Sequence, residues 1–109
     1  MHTVHYPWNK DDPAVKRTGF IAAAMGLMFS VNDFDSSVTD DQVKIIDNFF
    51  DSLKWDITKS SPEVAMVPYG QIMMMADMNN RWVYKGSVTT PPCAENVYWN
   101  VVRTVYPLK

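Results

Sequence analysis

A chain of 109 residues, 47% hydrophobic and 20% charged, has room for one domain and is too apolar for a disordered segment. Its net charge is -2 and it carries no basic stripe, which argues against nucleic acid as the main partner. Its richest apolar run, Gly19 to Val31, falls short of the ~20 residues that a membrane helix needs.

The chain opens abruptly on "MHTVHY", which reads as a strand. Alternation puts His2, Val4 and Tyr6 on one face and Thr3 and His5 on the other. The next stretch, "PWNKDDPAVKRT", is charged and turn-rich and reads as a loop. The alanines and methionines of "GFIAAAMGLMFSV" favour helix by propensity, but continuous apolarity between breakers fits a buried central strand, and strand is the reading adopted.

"TDDQVKIIDNFFDSLK" is the clearest helix. Thr39 is a natural N-cap, and Gln42 three residues later completes a capping box. Asp40 and Asp41 in the first turn and Lys54 in the last match the helix dipole. Val43, Ile46, Phe50 and Leu53 form one apolar stripe. "EVAMV", Glu63 to Val67 between Pro62 and Pro68, reads as a short strand. The methionines of "YGQIMMMADMNN" read as fillers of a core, and Asn79-Asn80 as a turn. "RWVYKGS" and "VYWNVVRTVY" read as two further strands. In the last, Val97, Trp99 and Val101 share one face, and Tyr98, Asn100 and Val102 share the other. The expected fold class is α+β, mainly β.

Few residues carry chemistry on their own. His2 and His5 face opposite sides of a strand, and two histidines do not make a zinc site, which takes three or four ligands. Two hydrogen-bonded core histidines are the plainer reading. Asp35, Asp40, Asp41 and Asp47 form no convincing carboxylate pair and read as caps and solvated surface. The segment Thr89-Thr90-Pro91-Pro92 is more specific. Two prolines make a stiff stretch outside any ladder and hold the residue before them extended. Such a stretch can fix a hydroxyl and an N–H toward an oxygen-bearing reactant, or it can be a plain strand-ending turn. Cys93, the single cysteine, is either a small buried apolar residue or half of a bridge to something absent.

Two separated stretches point to one family. "YKGSVTTPPCAENVYWNVV" closely resembles the signature Y-x-G-S-[LV]-T-T-P-P-C-x-E-x-V-x-W-x-V of α-class carbonic anhydrases. "MHTVHYPWN" resembles that family's E-[LM]-H-x-V-H-[WY]-x-N strand, entered one residue late, with Pro7 or Trp8 as an insertion. Between them, "FIAAAMGLMFSV" is similar to the family's apolar strand, with Gly26 at its glycine. The order of the three is right. The resemblance implies a partial α-carbonic anhydrase fold, a large twisted, mostly antiparallel sheet with peripheral helices. Residues 1–109 would be the C-terminal part of a single domain.

The resemblance also implies a zinc enzyme, a lyase that hydrates carbon dioxide reversibly to bicarbonate. His2 matches the third zinc ligand and His5 a structural neighbour. Thr89 matches the catalytic threonine that accepts a hydrogen bond from zinc-bound hydroxide, and Thr90 the neighbour that touches bicarbonate. Val4, Ala24, Val88, Val97 and Trp99 match the apolar wall that holds carbon dioxide; Ala24 stands where valine is common, which implies a wider pocket. Glu95 matches a buried structural glutamate. The family's H-x-H zinc pair, the glutamate that orients the threonine and the proton-shuttle histidine have no counterpart here. The remaining ligands are therefore expected in a missing N-terminal half, itself a possible partner, and the 109 residues alone are expected to be inactive. A cysteine directly after TTPP pairs, in secreted and membrane-bound members, with one near the N-terminus, so Cys93 implies such a disulfide and an extracellular setting. The alternative is a non-catalytic, carbonic-anhydrase-like structural or interaction subunit.

Overall fold

The computed structural model describes residues 1–55 and 63–109. Their elements follow the order β1 (His2–His5), α1 (Pro13–Thr18), β2 (Ala22–Ser30), α2 (Asp40–Ser52), α3 (Tyr69–Met75), β3 (Arg81–Ser87) and β4 (Glu95–Pro107). The strands form one four-stranded sheet in the order β1-β2-β4-β3. Strand β1 pairs antiparallel with β2, and β3 antiparallel with β4. The β2–β4 pair runs parallel: the Ile21 N–H donates to the Asn96 carbonyl, and five residues further on Gly26 lies against Val101. The sheet is thus mixed, and the class is α+β, mainly β, as expected.

The chain forms two compact units, residues 1–28 with 77–103, and residues 29–76 with 104–109. In the first, β2 has neighbours on both sides, which suits its apolar run. Ala22, Ala24, Met25 and Leu27 are buried. The expected loop before it contains α1. Asp12 accepts a hydrogen bond from the Ala14 N–H (2.7 Å) and Pro13 occupies the first turn, where a missing N–H costs nothing. Gly19, at φ 71°, closes α1 in the left-handed conformation that glycine tolerates. The sequence "DDP…TG" thus holds start and stop signals that its charge concealed.

In the second unit, α2 begins as its capping box requires. Thr39 Oγ1 accepts from the Gln42 N–H, and Gln42 Oε1 accepts from the Thr39 N–H. Its buried residues are Ile46 and Phe49; Val43, Phe50 and Leu53 are half-buried. The apolar face is therefore centred nearer Phe49 than the expected stripe. The Phe50 ring stands edge-on to Phe29 (5.2 Å) and to Phe49 (5.3 Å), an arrangement that aromatic quadrupoles favour. Lys54 lies beyond the helix end at φ 54°, so no basic residue sits in the last turn. Asp35 is more than solvated surface. Its backbone N–H donates to the Val105 carbonyl (2.9 Å), and its carboxylate accepts from the Val105 N–H (2.8 Å).

Two further expectations fail in this unit. Glu63 to Val67 is irregular backbone, not a strand, and Pro62, which bounds it in sequence, lies outside the described residues. The methionine run forms α3, with Ile72 fully buried and Met74 88% exposed, so Met74 fills no core. Helices α2 and α3 pack on each other.

Thr39→Ala removes one half of the capping box and is expected to cost about 1 kcal/mol. Ile46→Ala leaves a cavity at a fully buried position and is expected to cost about 2–5 kcal/mol. Chemical denaturation of the two variants beside the parent chain checks both values and their order.

Candidate active site

Strand register decides which side chains meet. His2 lies opposite Gly26, and Val4 opposite Ala24. On the far side of the sheet Gly86 lies opposite Val97, Tyr84 opposite Trp99, and Trp82 opposite Val101. Alternation then puts His2, Val4, Ala24, Val97, Trp99 and Val101 on one face. Ala24, Val97 and Trp99 form a buried cluster, 2%, 1% and 5% exposed, with Val88 and Val101 packed against it. Four of the five expected wall residues therefore converge. Val4, on the edge strand, is 51% exposed and stands at the margin.

Trp99 is the centre of this face. Its ring meets the His2 imidazole edge-on, with centroids 4.9 Å apart and planes at 75°. On its other side Tyr84 lies nearly parallel at 6.2 Å. Its Nε1–H donates to the Ser87 carbonyl (3.0 Å). Gly86 makes room for the ring, since a Cβ there would lie 2.8 Å from Trp99 Cδ1 and 2.9 Å from Tyr84 Cε2. Sequence reasoning passed over Tyr84, Gly86 and Ser87. The Y-x-G-S start of the signature runs through all three, but nothing in the sequence says which residue lies across from them.

The chain leaves β3 at Ser87, beside a register shift that follows Gly86. The loop from Val88 to Ala94 is closed by its own backbone. The Val88 N–H donates to the Ala94 carbonyl (2.9 Å), and the Cys93 N–H to the Thr90 carbonyl (2.8 Å), across a cis Pro91–Pro92 peptide. Thr89 and Thr90 are exposed on this loop, with Val88 beneath them half-buried on the cluster. The proline pair and two hydrogen bonds hold the threonines in a constrained turn.

Three expectations change. Neither histidine is buried: His2 is exposed on the cluster face, and His5 is exposed on the opposite face, where its Nε2 lies 3.0 Å from the Thr3 hydroxyl. Glu95 is exposed at the start of β4, not buried. Cys93 is an exposed free thiol at φ 55°, which removes the reading of a small buried apolar residue.

A family model for eukaryotic-type carbonic anhydrase matches residues 1–109. The chain belongs to the eukaryotic-type carbonic anhydrase family. Carbonic anhydrase 6 of Mus musculus is 48% identical over 31 residues, which make up 28% of this chain and 10% of that protein. A solved structure described as a hyperthermostable carbonic anhydrase identified from an active hydrothermal vent chimney is 22% identical, with a TM-score of 0.47. The likeness covers 81% of this chain and 35% of that one, so the chain spans only part of the length of the carbonic anhydrases it matches.

Carbonic anhydrases are typically zinc proteins, so the donor set matters. Among the described residues no group of three His, Cys, Asp or Glu side chains could hold a metal ion. His2 offers one imidazole on the cluster face, where a catalytic zinc takes three protein ligands. The described residues do not by themselves fit a zinc centre.

The two glycines of this face separate packing from propensity. At Gly86 an added Cβ collides with Trp99 and Tyr84, whereas at Gly26 it would meet Val101 at 3.5 Å, an ordinary contact. Gly86→Ala is expected to destabilise by about 1–3 kcal/mol and Gly26→Ala by less. Urea denaturation followed by tryptophan fluorescence checks the difference, and near-ultraviolet circular dichroism should change for Gly86→Ala alone.

Proposed function

We propose that this chain supplies the carbon-dioxide-binding wall and the threonine loop of a carbonic anhydrase that, when complete, hydrates carbon dioxide reversibly to bicarbonate. The observation that carries the proposal is the convergence of His2, Val88, Ala24, Val97 and Trp99 about one face, next to the loop that bears Thr89. The family match over the full chain supports it.

Each part has a physical role. The apolar cluster offers a small non-polar gas a surface it prefers to water. The exposed hydroxyls of Thr89 and Thr90 stand on a loop that backbone bonds and prolines hold in place, which suits donors and acceptors for an oxygen-bearing reactant. Zinc would lower the pKa of a bound water to about 7 in the complete enzyme. Among the described residues His2 is the one offered to it; the other ligands would come from outside these 109 residues. The proposed catalytic residue is Thr89. Thr90, Val4, Ala24, Val88, Val97 and Trp99 would contact carbon dioxide or bicarbonate, and His5 and Glu95 would be structural. Cys93, exposed, is available for the disulfide that the resemblance implies.

The second reading, a non-catalytic carbonic-anhydrase-like subunit, draws on the single imidazole of the cluster face. Zinc content and stopped-flow carbon dioxide hydration separate the two. The purified 109-residue chain should hold no stoichiometric zinc and should not accelerate hydration. Activity in that chain that a chelator abolishes and zinc restores would overturn this expectation. A longer natural product should hold one zinc per chain, and Thr89→Ala in it should lower kcat/KM on the order of 10²-fold, as for loss of one preorganised polar contact. A longer product with neither zinc nor activity would favour the subunit.

A further inference from the structure

We infer that Trp99 is a positioning residue as well as part of the wall, an inference that rests on the roles proposed for His2 and Thr89. One indole makes two oriented contacts at opposite ends of the face. It meets the His2 imidazole at 4.9 Å with the two planes at 75°. Its Nε1–H holds the Ser87 carbonyl at 3.0 Å, two residues before Thr89, at the point where β3 becomes the loop. Any buried apolar side chain could wall a pocket, but an indole joins to its flat aromatic body an N–H donor on the rim, which phenylalanine and the aliphatic side chains lack.

The neighbours keep the ring in one orientation. Tyr84 stacks on it, and Gly86 lets it lie close against β3, where an added Cβ would come within 2.8 Å of the ring. A rotation of the indole would break the bond to Ser87 and change the packing on His2 together. The ring therefore ties the orientation of the imidazole to the start of the threonine loop. Val88 carries this across one peptide, since it packs on the Trp99 cluster while its N–H closes the loop onto Ala94. The N–H bond to Ser87 is the part of this arrangement that an apolar ring would lack.

Nuclear magnetic resonance of the 109-residue chain tests this without metal. In the parent chain the Trp99 indole N–H should exchange at least about tenfold more slowly than that of Trp8, which is fully exposed, and should show a cross-peak to the Val88 amide. In Trp99→Phe, which keeps a ring and loses the donor, exchange of the Val88 and Cys93 amides should rise about tenfold. The Leu27 and Arg103 amides, bonded to Met1 and Asn80, should keep their protection. In Trp99→Leu, which loses both contacts, the His2 signals should move too. An indole that exchanges as fast as that of Trp8 overturns the inference even if no variant folds. So does a Trp99→Phe chain in which Val88 and Cys93 are unaffected, or lose protection together with Leu27 and Arg103, since the residue would then be only structural. A complete protein without zinc-dependent activity would overturn the functional reading and leave these signals unchanged, so the two failures are distinguishable.

Discussion

The bond from the Trp99 indole to the Ser87 carbonyl joins a sheet to a loop, and the candidate site depends on that junction. At the end of β3, where the chain turns away, a side-chain donor from the neighbouring strand holds the Ser87 carbonyl at 3.0 Å. The loop that follows then begins from a fixed point, and its two internal hydrogen bonds and proline pair carry that constraint to Thr89 and Thr90. The same ring packs on Ala24 and Val97 and meets His2, so wall, imidazole and loop share one support.

That support needs space as much as contact. Trp99 takes up the space that residue 86 leaves by being glycine, so bulk on β4 is matched by its absence on β3. The stacking of Tyr84 and the edge contact with His2 fix the orientation of the ring, where a purely aliphatic cluster would leave it free. Sheet edges complete the picture. Strands β1 and β3 have one neighbour each among the described residues, and Trp82, Val83 and Tyr84 of β3 are substantially exposed.

Much of the site could be read locally. The run from Tyr84 to Val102 carries the threonines, the prolines and the alternation that puts Val97 and Trp99 on one face. Helix α2 was legible to its cap because a capping box is a local device, with donor and acceptor three residues apart. Local signals misled where charge or composition masked them. Helix α1 lay inside a stretch that reads as loop, and valines between prolines imitated a strand at 63–67. Phe49 joined the buried face of α2 because packing, not heptad spacing alone, chose its centre.

Period and punctuation, then, are what the residues determine alone: which segments extend, where α2 starts, which side chains share a strand face, and the family to which the motifs belong. Only the tertiary structure decided what lies across from what. A strand's alternation places Trp99 and Val97 together, but nothing in it sets them against His2 from the other end of the chain or Gly86 from the next strand. Register is a property of pairs of strands, and a shift of one residue would send every side chain to the opposite face. Exposure followed the same rule. His2, Glu95 and Cys93 lie in the open here because burial depends on which neighbours cover a residue, and sequence spacing carries no measure of that cover.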